Sequence, residues 1–340
     1  MLLKRSLNKI YKNLYKNMYK KHNATSMFRS TLLSIAAPAS AIAAVLLTLS
    51  ACSESETELR NDSADTAAIN QDIENSEVVE NADTLADMTS AEVKACLDYG
   101  PQTPRDIDAI DGSNAVNFRK AASYDKLNLC NIHFHKSAEH KAAAFSIYAG
   151  KEGDNGQAGY QCGISKTLTK AELAPVSTEV CDGLQPGDTV EVHWVHSSCP
   201  VQPGEGLGSC LSEGCDDPDL RVETQVFTLV NDSNAMNFMD MDYDQAGFQN
   251  ANDTNARHQA KMIPDTTGKP VEFLGSTTGP SYNESKCSPL KVNWSVRPEC
   301  AKLDINSLGK WCEGNTFNEM HAHGVRALVT NPSLLSRIER

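Results

Sequence analysis

Ten cysteines lie between positions 96 and 312, and no other sequence feature restricts the fold as much. They follow a segment built like an export signal. Residues 1–52 hold eight Lys or Arg and no Asp or Glu, and an apolar run from Leu32 to Ala51 follows Arg29. The run ends in Leu49-Ser50-Ala51-Cys52, the small-residue cleavage pattern of a lipoprotein signal peptide. The basic stretch before it is long, and Met27 offers an alternative start. A transmembrane anchor is the competing reading, because the run is nearly long enough to span a bilayer; Pro38 and the terminal Leu-Ser-Ala-Cys favour cleavage. Cys52 then carries the lipid that anchors the chain to the membrane. Ser53 behind it points to the outer membrane, facing the periplasm. In that oxidising compartment the ten later cysteines are expected to form up to five disulfides, with a pairing the spacing does not reveal. Cysteine metal ligands are disfavoured because no C-x-x-C spacing occurs.

Residues 53–95 hold twelve Asp or Glu, two Lys or Arg and no aromatic residue. Such a stretch buries too little to offset its ordering entropy, so it is expected to be a disordered acidic tether. Thr89-Ser90-Ala91-Glu92 is suited to cap a short helix at its end. Removing residues 1–52 takes the formal charge from −13 to −21 through loss of eight cations. A chain that acidic repels phosphate backbones, which argues against a nucleic-acid partner. From about Cys96 the composition is globular, and turn signals such as Gly100-Pro101, Asp111-Gly112, Pro186-Gly187-Asp188 and Gly279-Pro280 are dense. Between them lie short alternating or apolar runs: Leu129–His135, Ala143–Ala149, Thr189–His196, Thr224–Val230, Leu290–Val296 and Gly324–Thr330. Sustained helical periodicity is scarce. The pattern predicts one mainly β domain over residues 96–340, predominantly antiparallel, with minor helices. Residues 231–265, polar and rich in Met and Asn, are expected to form a long surface excursion.

Seven of the eight histidines after residue 52 fall in three clusters. Residues two apart on a strand share a face, so His133 and His135 point one way while Ile132 and Phe134 point the other. An H-x-H strand can present two imidazoles to one metal; the bland alternative is an ordinary pair on a polar face. In the second cluster Glu191, His193 and Val195 share a face, and Trp194 and His196 share the other. A neighbouring strand delivers His193 as a third ligand, and Glu191 then accepts from the far nitrogen of a metal-bound ring. His196, on the wrong face, reads as a hydrogen-bonded packing residue. Three neutral histidines leave one tetrahedral position open, the pattern of catalytic rather than structural zinc. His140 is an alternative third ligand if the chain turns at 136–138. The third cluster, Glu319-Met320-His321-Ala322-His323, admits three roles: a proton shuttle, a second metal site or a packed core pair.

The order His133-Phe134-His135, Glu139-His140, Glu191-x-His193-x-Val195-His196 resembles alpha-class carbonic anhydrases. Cys130-Asn131-Ile132-His133-Phe134-His135 running into Ala138-Glu139-His140 is more similar still to the delta-class and delta-like bacterial group. Gly275-Ser276-Thr277-Thr278-Gly279-Pro280, with Trp294 downstream, is similar to a third alpha-class segment. The resemblance spans roughly residues 96–340, and these three islands carry it. It implies a carbonic anhydrase-like fold, one Zn2+ per chain on His133, His135 and His193, and reversible hydration of CO2 to bicarbonate and a proton by zinc-bound hydroxide. It also implies that Thr278 accepts a hydrogen bond from the hydroxide, that Glu139 accepts one from Thr278, and that Val195 and Trp294 line the CO2 pocket. The alpha-class shuttle upstream of H-x-H has no counterpart here.

Two rival readings remain at this level. His133-x-His135-x-x-x-Glu139 followed by Pro186-Gly187-Asp188 and His193 resembles a cupin: a double-sheet jelly roll holding iron or manganese, with Glu139 as a ligand. A non-enzymatic periplasmic metal-binding lipoprotein would use the same histidines and leave Thr278 inert.

Overall fold

The computed structural model describes residues 96, 99–150, 159–177, 180–181, 183–246, 256–279 and 281–340. The expected signal peptide, Cys52, the acidic tether and the Thr89–Glu92 cap lie outside the described residues.

Among the described residues seven strands follow in chain order: β1 (Asn128–Lys136), β2 (Ile147–Tyr148), β3 (Tyr160–Gln161), β4 (Thr189–Ser197), β5 (Leu220–Val230), β6 (Val271–Ser276) and β7 (Lys291–Asp304). A single α-helix among the described residues, α1 (Ile305–Cys312), follows β7 directly. Five strands form one sheet in the order β1-β4-β5-β7-β6, antiparallel throughout except where β5 pairs with β7. After β5 the chain crosses to the outer edge, lays down β6, and returns as β7 in the gap. The fold is thus mainly β and antiparallel-dominated, as the alternation predicts, and the double-sheet jelly roll is not formed. The second sheet is only the β2–β3 pair.

Alternation along the strands gives the main sheet two different faces. One carries Ile132, Phe134, Val192, Trp194 and Phe227, all buried, against Leu308 and Trp311 of α1. The helix starts where the Asp304 side chain accepts from Asn306 N, and its Ile305, Leu308, Trp311 and Cys312 point inward. The other face carries His133, His135 and His193, described below.

Three expectations are corrected. The described parts of 231–265, residues 231–246 and 256–265, are not a surface excursion: Phe238, Met241, Tyr243 and Ile263 are buried in the main core, and Trp194 Nε1 donates to Met241 O at 3.0 Å. The apolar residues there are too widely spaced among polar ones to show periodicity. Gly324–Thr330 is no strand; it is held by bonds to other segments such as Val329 N to Pro104 O at 2.9 Å. Of Ala143–Ala149 only Ile147–Tyr148 is a strand. In β7 the chain continues past Pro298 because a register shift absorbs it: Thr224 pairs with Val296 but Val226 with Cys300.

All ten later cysteines pair, as Cys96–Cys287, Cys130–Cys210, Cys162–Cys300, Cys181–Cys312 and Cys199–Cys215. Five disulfides fit an oxidising, exported setting. Among the described residues no helix is long and apolar enough to cross a membrane.

Candidate metal centre

β1 and β4 pair with His133 opposite His193 and His135 opposite Glu191. Cross-strand neighbours on one face stand side by side, so this register alone brings the three rings together. Their centroids lie 4.8–5.3 Å apart, and one nitrogen from each falls within 4.8 Å of the others.

The hydrogen-bond partners decide which nitrogen each ring offers. Asn131, two residues before His133 on the same face, donates from Nδ2 to Gly204 O at 3.0 Å. Its Oδ1 therefore faces His133 Nδ1, at 2.6 Å, as an acceptor, which puts the ring proton on Nδ1 and leaves Nε2 as a lone pair. His135 Nδ1 donates to Gly324 O at 3.1 Å; its Nε2 is buried with no partner. His193 Nε2 donates to Glu191 Oε1 at 2.7 Å, leaving Nδ1 free. His193 Nδ1 and His133 Nε2 then face each other at 3.2 Å, two lone pairs in contact. Burial, reinforced by His193, His135 and His323, holds the His133 pKa well below the usual imidazole range, which disfavours its imidazolium form. A bound cation is what satisfies this donor set, two Nε2 and one Nδ1 converging on one point. The fit to a metal ion is good.

Glu191 joins a second group, His140–Glu191–His193, whose distances are those of hydrogen bonds. Glu191 Oε1 also accepts from His140 Nδ1 at 2.7 Å, and Oε2 accepts from His140 N at 3.1 Å. Although burial opposes ionisation, His140 and His193 pull the Glu191 carboxyl far below the usual carboxylate range. Ser137, in the left-handed region at φ 67°, ends β1 and turns the chain, so His140 reaches Glu191 instead of the triad.

Glu139 is no member of either metal group. Its Oε1 accepts from Arg326 N at 2.9 Å and lies 3.6 Å from His135 Nδ1, behind the ring; its Oε2 is buried without a partner. That position removes the cupin ligand set. No hydrogen bond joins Glu139 to Thr278. Thr277 is buried and bonds through Oγ1 to Ser288 Oγ at 2.5 Å, while Thr278 is half-buried and lines the cavity.

The triad forms the floor of a cavity of about 300 Å³. Val195, Val222, Leu220, Val292 and Trp294 supply an apolar wall, and the Trp294 ring stands 5.1 Å from His193. Glu319, His321 and His323 also line the cavity, and the His323 ring lies 5.7 Å from His133 and 5.9 Å from His135. His323 is 45% exposed at its side chain and pairs with Glu319 at 2.9 Å; His321 is exposed as well. The packed-pair reading of the third cluster is thereby excluded. Neither residue joins a group of three potential ligands among the described residues. His196 is fully buried on the far face, with Nδ1 donating to Trp194 O at 3.1 Å.

Sequence reasoning missed Asn131, Gly324 O and Arg326 as supports. Only Asn131 carried a signal, its parity with His133.

The family model described as delta carbonic anhydrase matches residues 124–307, a little over half of the chain and all three triad histidines. Among solved structures, an alpha-carbonic anhydrase from Thermovibrio ammonificans in complex with the inhibitor sulfanilamide is 16% identical, aligning 70% of this chain with 88% of its own at a TM-score of 0.25. A hyperthermostable carbonic anhydrase from an active hydrothermal vent chimney is 15% identical over 73% of this chain and 90% of its own, at a TM-score of 0.23. No curated protein sequence matches.

Proposed function

The chain belongs to the delta carbonic anhydrase family, and from that premise we propose that it hydrates CO2 reversibly at one zinc ion held by His133 Nε2, His135 Nε2 and His193 Nδ1. Zinc on three imidazoles keeps a fourth position open and lowers the pKa of bound water to ~7, supplying hydroxide near neutral pH. The observation that carries the reading is the convergence of one ring nitrogen from each of three histidines in an apolar-walled cavity.

The remaining roles belong to the chain itself. Asn131, Gly324 O and Glu191 hold the three rings in the tautomers that face inward. Val195, Val222 and Trp294 exclude water and accept CO2, which carries no net dipole. Thr278 accepts a hydrogen bond from the attacking oxygen and so aims its lone pair at the CO2 carbon. Glu139 Oε2 keeps the free acceptor that a bond from Thr278 requires. The proton leaves toward the rim, where exposed His321 passes it to buffer. Bicarbonate departs through the same mouth. Export and anchoring through lipidated Cys52 at the outer membrane are supported by the segment before Ser53 and by five disulfides.

The test is CO2 hydration by the purified protein with its metal content assayed on the same sample. Zinc near one per chain with chelator-sensitive hydration is the expected result. Zinc without hydration would leave a metal-holding lipoprotein, and no zinc at all would remove the centre.

A further inference from the structure

The segment between Cys199 and Cys215 is more than a wall of the cavity. It is closed on itself by Cys199–Cys215 and tied to β1 by Cys130–Cys210. Its Glu205, Gly206 and Leu207 line the cavity. Cys130 sits in a bulge of β1, since Leu129 pairs with His196 and Asn131 already with Val195. The bulged residue has no place in the β4 ladder, and its carbonyl is free to accept from Gly204 N at 3.0 Å and Ser209 Oγ at 2.7 Å. Next along the strand, Asn131 is gripped from both ends: Nδ2 gives its proton to Gly204 O, and Oδ1 takes one from His133 Nδ1.

An amide side chain is nearly symmetric in shape and chooses its orientation by its partners. Asn131 is buried and meets only one acceptor, Gly204 O, outside the histidine. With that carbonyl withdrawn, the amide is free to turn its NH2 toward His133 Nδ1. The ring would then hold its proton on Nε2, the nitrogen that faces the centre. We propose that the 199–215 loop is a clamp on the metal centre, acting through Gly204 O and Asn131 to keep His133 Nε2 unprotonated, with the Cys130–Cys210 disulfide holding the clamp closed. The proposal rests on the triad as a metal site, not on its carrying out hydration. It makes Asn131 and the disulfide positioning elements whose effect is read in metal affinity.

The experiment measures zinc affinity by competition with a chromophoric chelator for the wild type, Asn131→Ala, Cys130→Ser/Cys210→Ser, and the triple variant. Loss of an outer hydrogen-bond partner of a ligand costs roughly 10- to 100-fold in metal affinity. A loss of about tenfold is expected in Asn131→Ala and in the cysteine pair. A loop acting only through Asn131 adds nothing once that residue is gone, so the triple variant should match Asn131→Ala. Wild-type affinity in the cysteine pair, or losses that multiply in the triple variant, would overturn the clamp. If the cysteine pair loses its native circular dichroism, Ser209→Ala keeps the disulfide and removes one tether. It should weaken zinc binding severalfold alone and not at all beside Asn131→Ala; an additive effect refutes the idea. A wild type that binds zinc tightly but does not hydrate CO2 defeats the proposed activity while the affinity series still decides the clamp. A wild type that binds no zinc removes both.

Discussion

Glu191→Gln isolates the part of the centre that the sequence pattern alone suggested. The carboxylate accepts three N–H bonds: His193 Nε2 and His140 Nδ1 on Oε1, both at 2.7 Å, and His140 N on Oε2 at 3.1 Å. An amide offers one acceptor. If its oxygen takes the Oε1 position, both rings keep a bond, now to a neutral partner, and the NH2 is pressed against the His140 N–H. If it turns over, both rings face donors. The first arrangement is the better one. It leaves one buried N–H unsatisfied, at roughly 1–3 kcal/mol, and weakens two charge-assisted bonds by about 1 kcal/mol each. The apo protein should therefore lose about 3–5 kcal/mol in urea unfolding. Zinc affinity should fall about 10- to 100-fold, because a neutral amide oxygen holds the Nε2 proton of His193 less firmly than the carboxylate does. Chelator competition and urea titration on the same preparations read both numbers. Unchanged zinc affinity beside a large stability loss would make Glu191 a structural buttress only and refute its role in orienting the ligand.

Three further outcomes are expected. Thr278→Ala should retain zinc yet lower kcat by about 10²-fold, the scale of removing one oriented transition-state contact; an unchanged rate discards the aligned role of Thr278. His321→Ala should slow turnover only in dilute buffer and recover with added imidazole, whereas a buffer-independent loss places the proton route elsewhere. Burial, with Arg221 adding to it against the Trp194 carbonyl, lowers the His196 pKa to about 3, while the unfolded chain titrates near ~6.5. The unfolded state then binds the extra proton between those values, so the contribution to stability is complete above about pH 6.5 and is lost as pH falls toward 3, up to roughly 4–5 kcal/mol. The His196 ring signal in NMR should not titrate between pH 7 and 4; a midpoint near 6.5 contradicts it.

The triad and the chief strands were legible because both depend on period-two alternation. His133, His135 and His193 share a face by counting, and the β1–β4 register needed only to place them opposite each other. The same counting put His196 on the far face, where it is buried. What counting could not reach was set by contacts distant in sequence. Gly324 supplies a backbone oxygen, which leaves no mark in composition. The partner of Glu139 is the backbone N–H of Arg326, 187 residues away. The cysteines clustered by position, yet only Cys199–Cys215 pairs locally, and the other four bridges span 80 to 191 residues.

These distant contacts converge on one point, and that convergence accounts for why so irregular a chain needs so many bridges. Arg326, fully buried, donates to Thr103 O at 2.6 Å and Asn283 O at 3.0 Å, and its backbone holds Glu139. Thr103 Oγ1 accepts from Ser276 N at 3.1 Å, and Gln102 Oε1 accepts from Ser288 N at 2.9 Å. Residues near both ends of the described chain therefore grip the segment that carries Thr277 and Thr278 as well as the residue behind His135. The approach is close: a Cβ at Gly275 would stand 2.0 Å from Thr103 Oγ1, so only glycine passes there. Apart from β6, which pairs with β7, none of these segments is a strand, and ladder pairing does not hold them. Their order depends on buried polar bonds, each of which is costly to leave unmade, and on Cys96–Cys287, which staples the first described residue to the same region. The sheet sets the distances within the triad; the long-range bridges and the Arg326 cluster set what stands behind and above it.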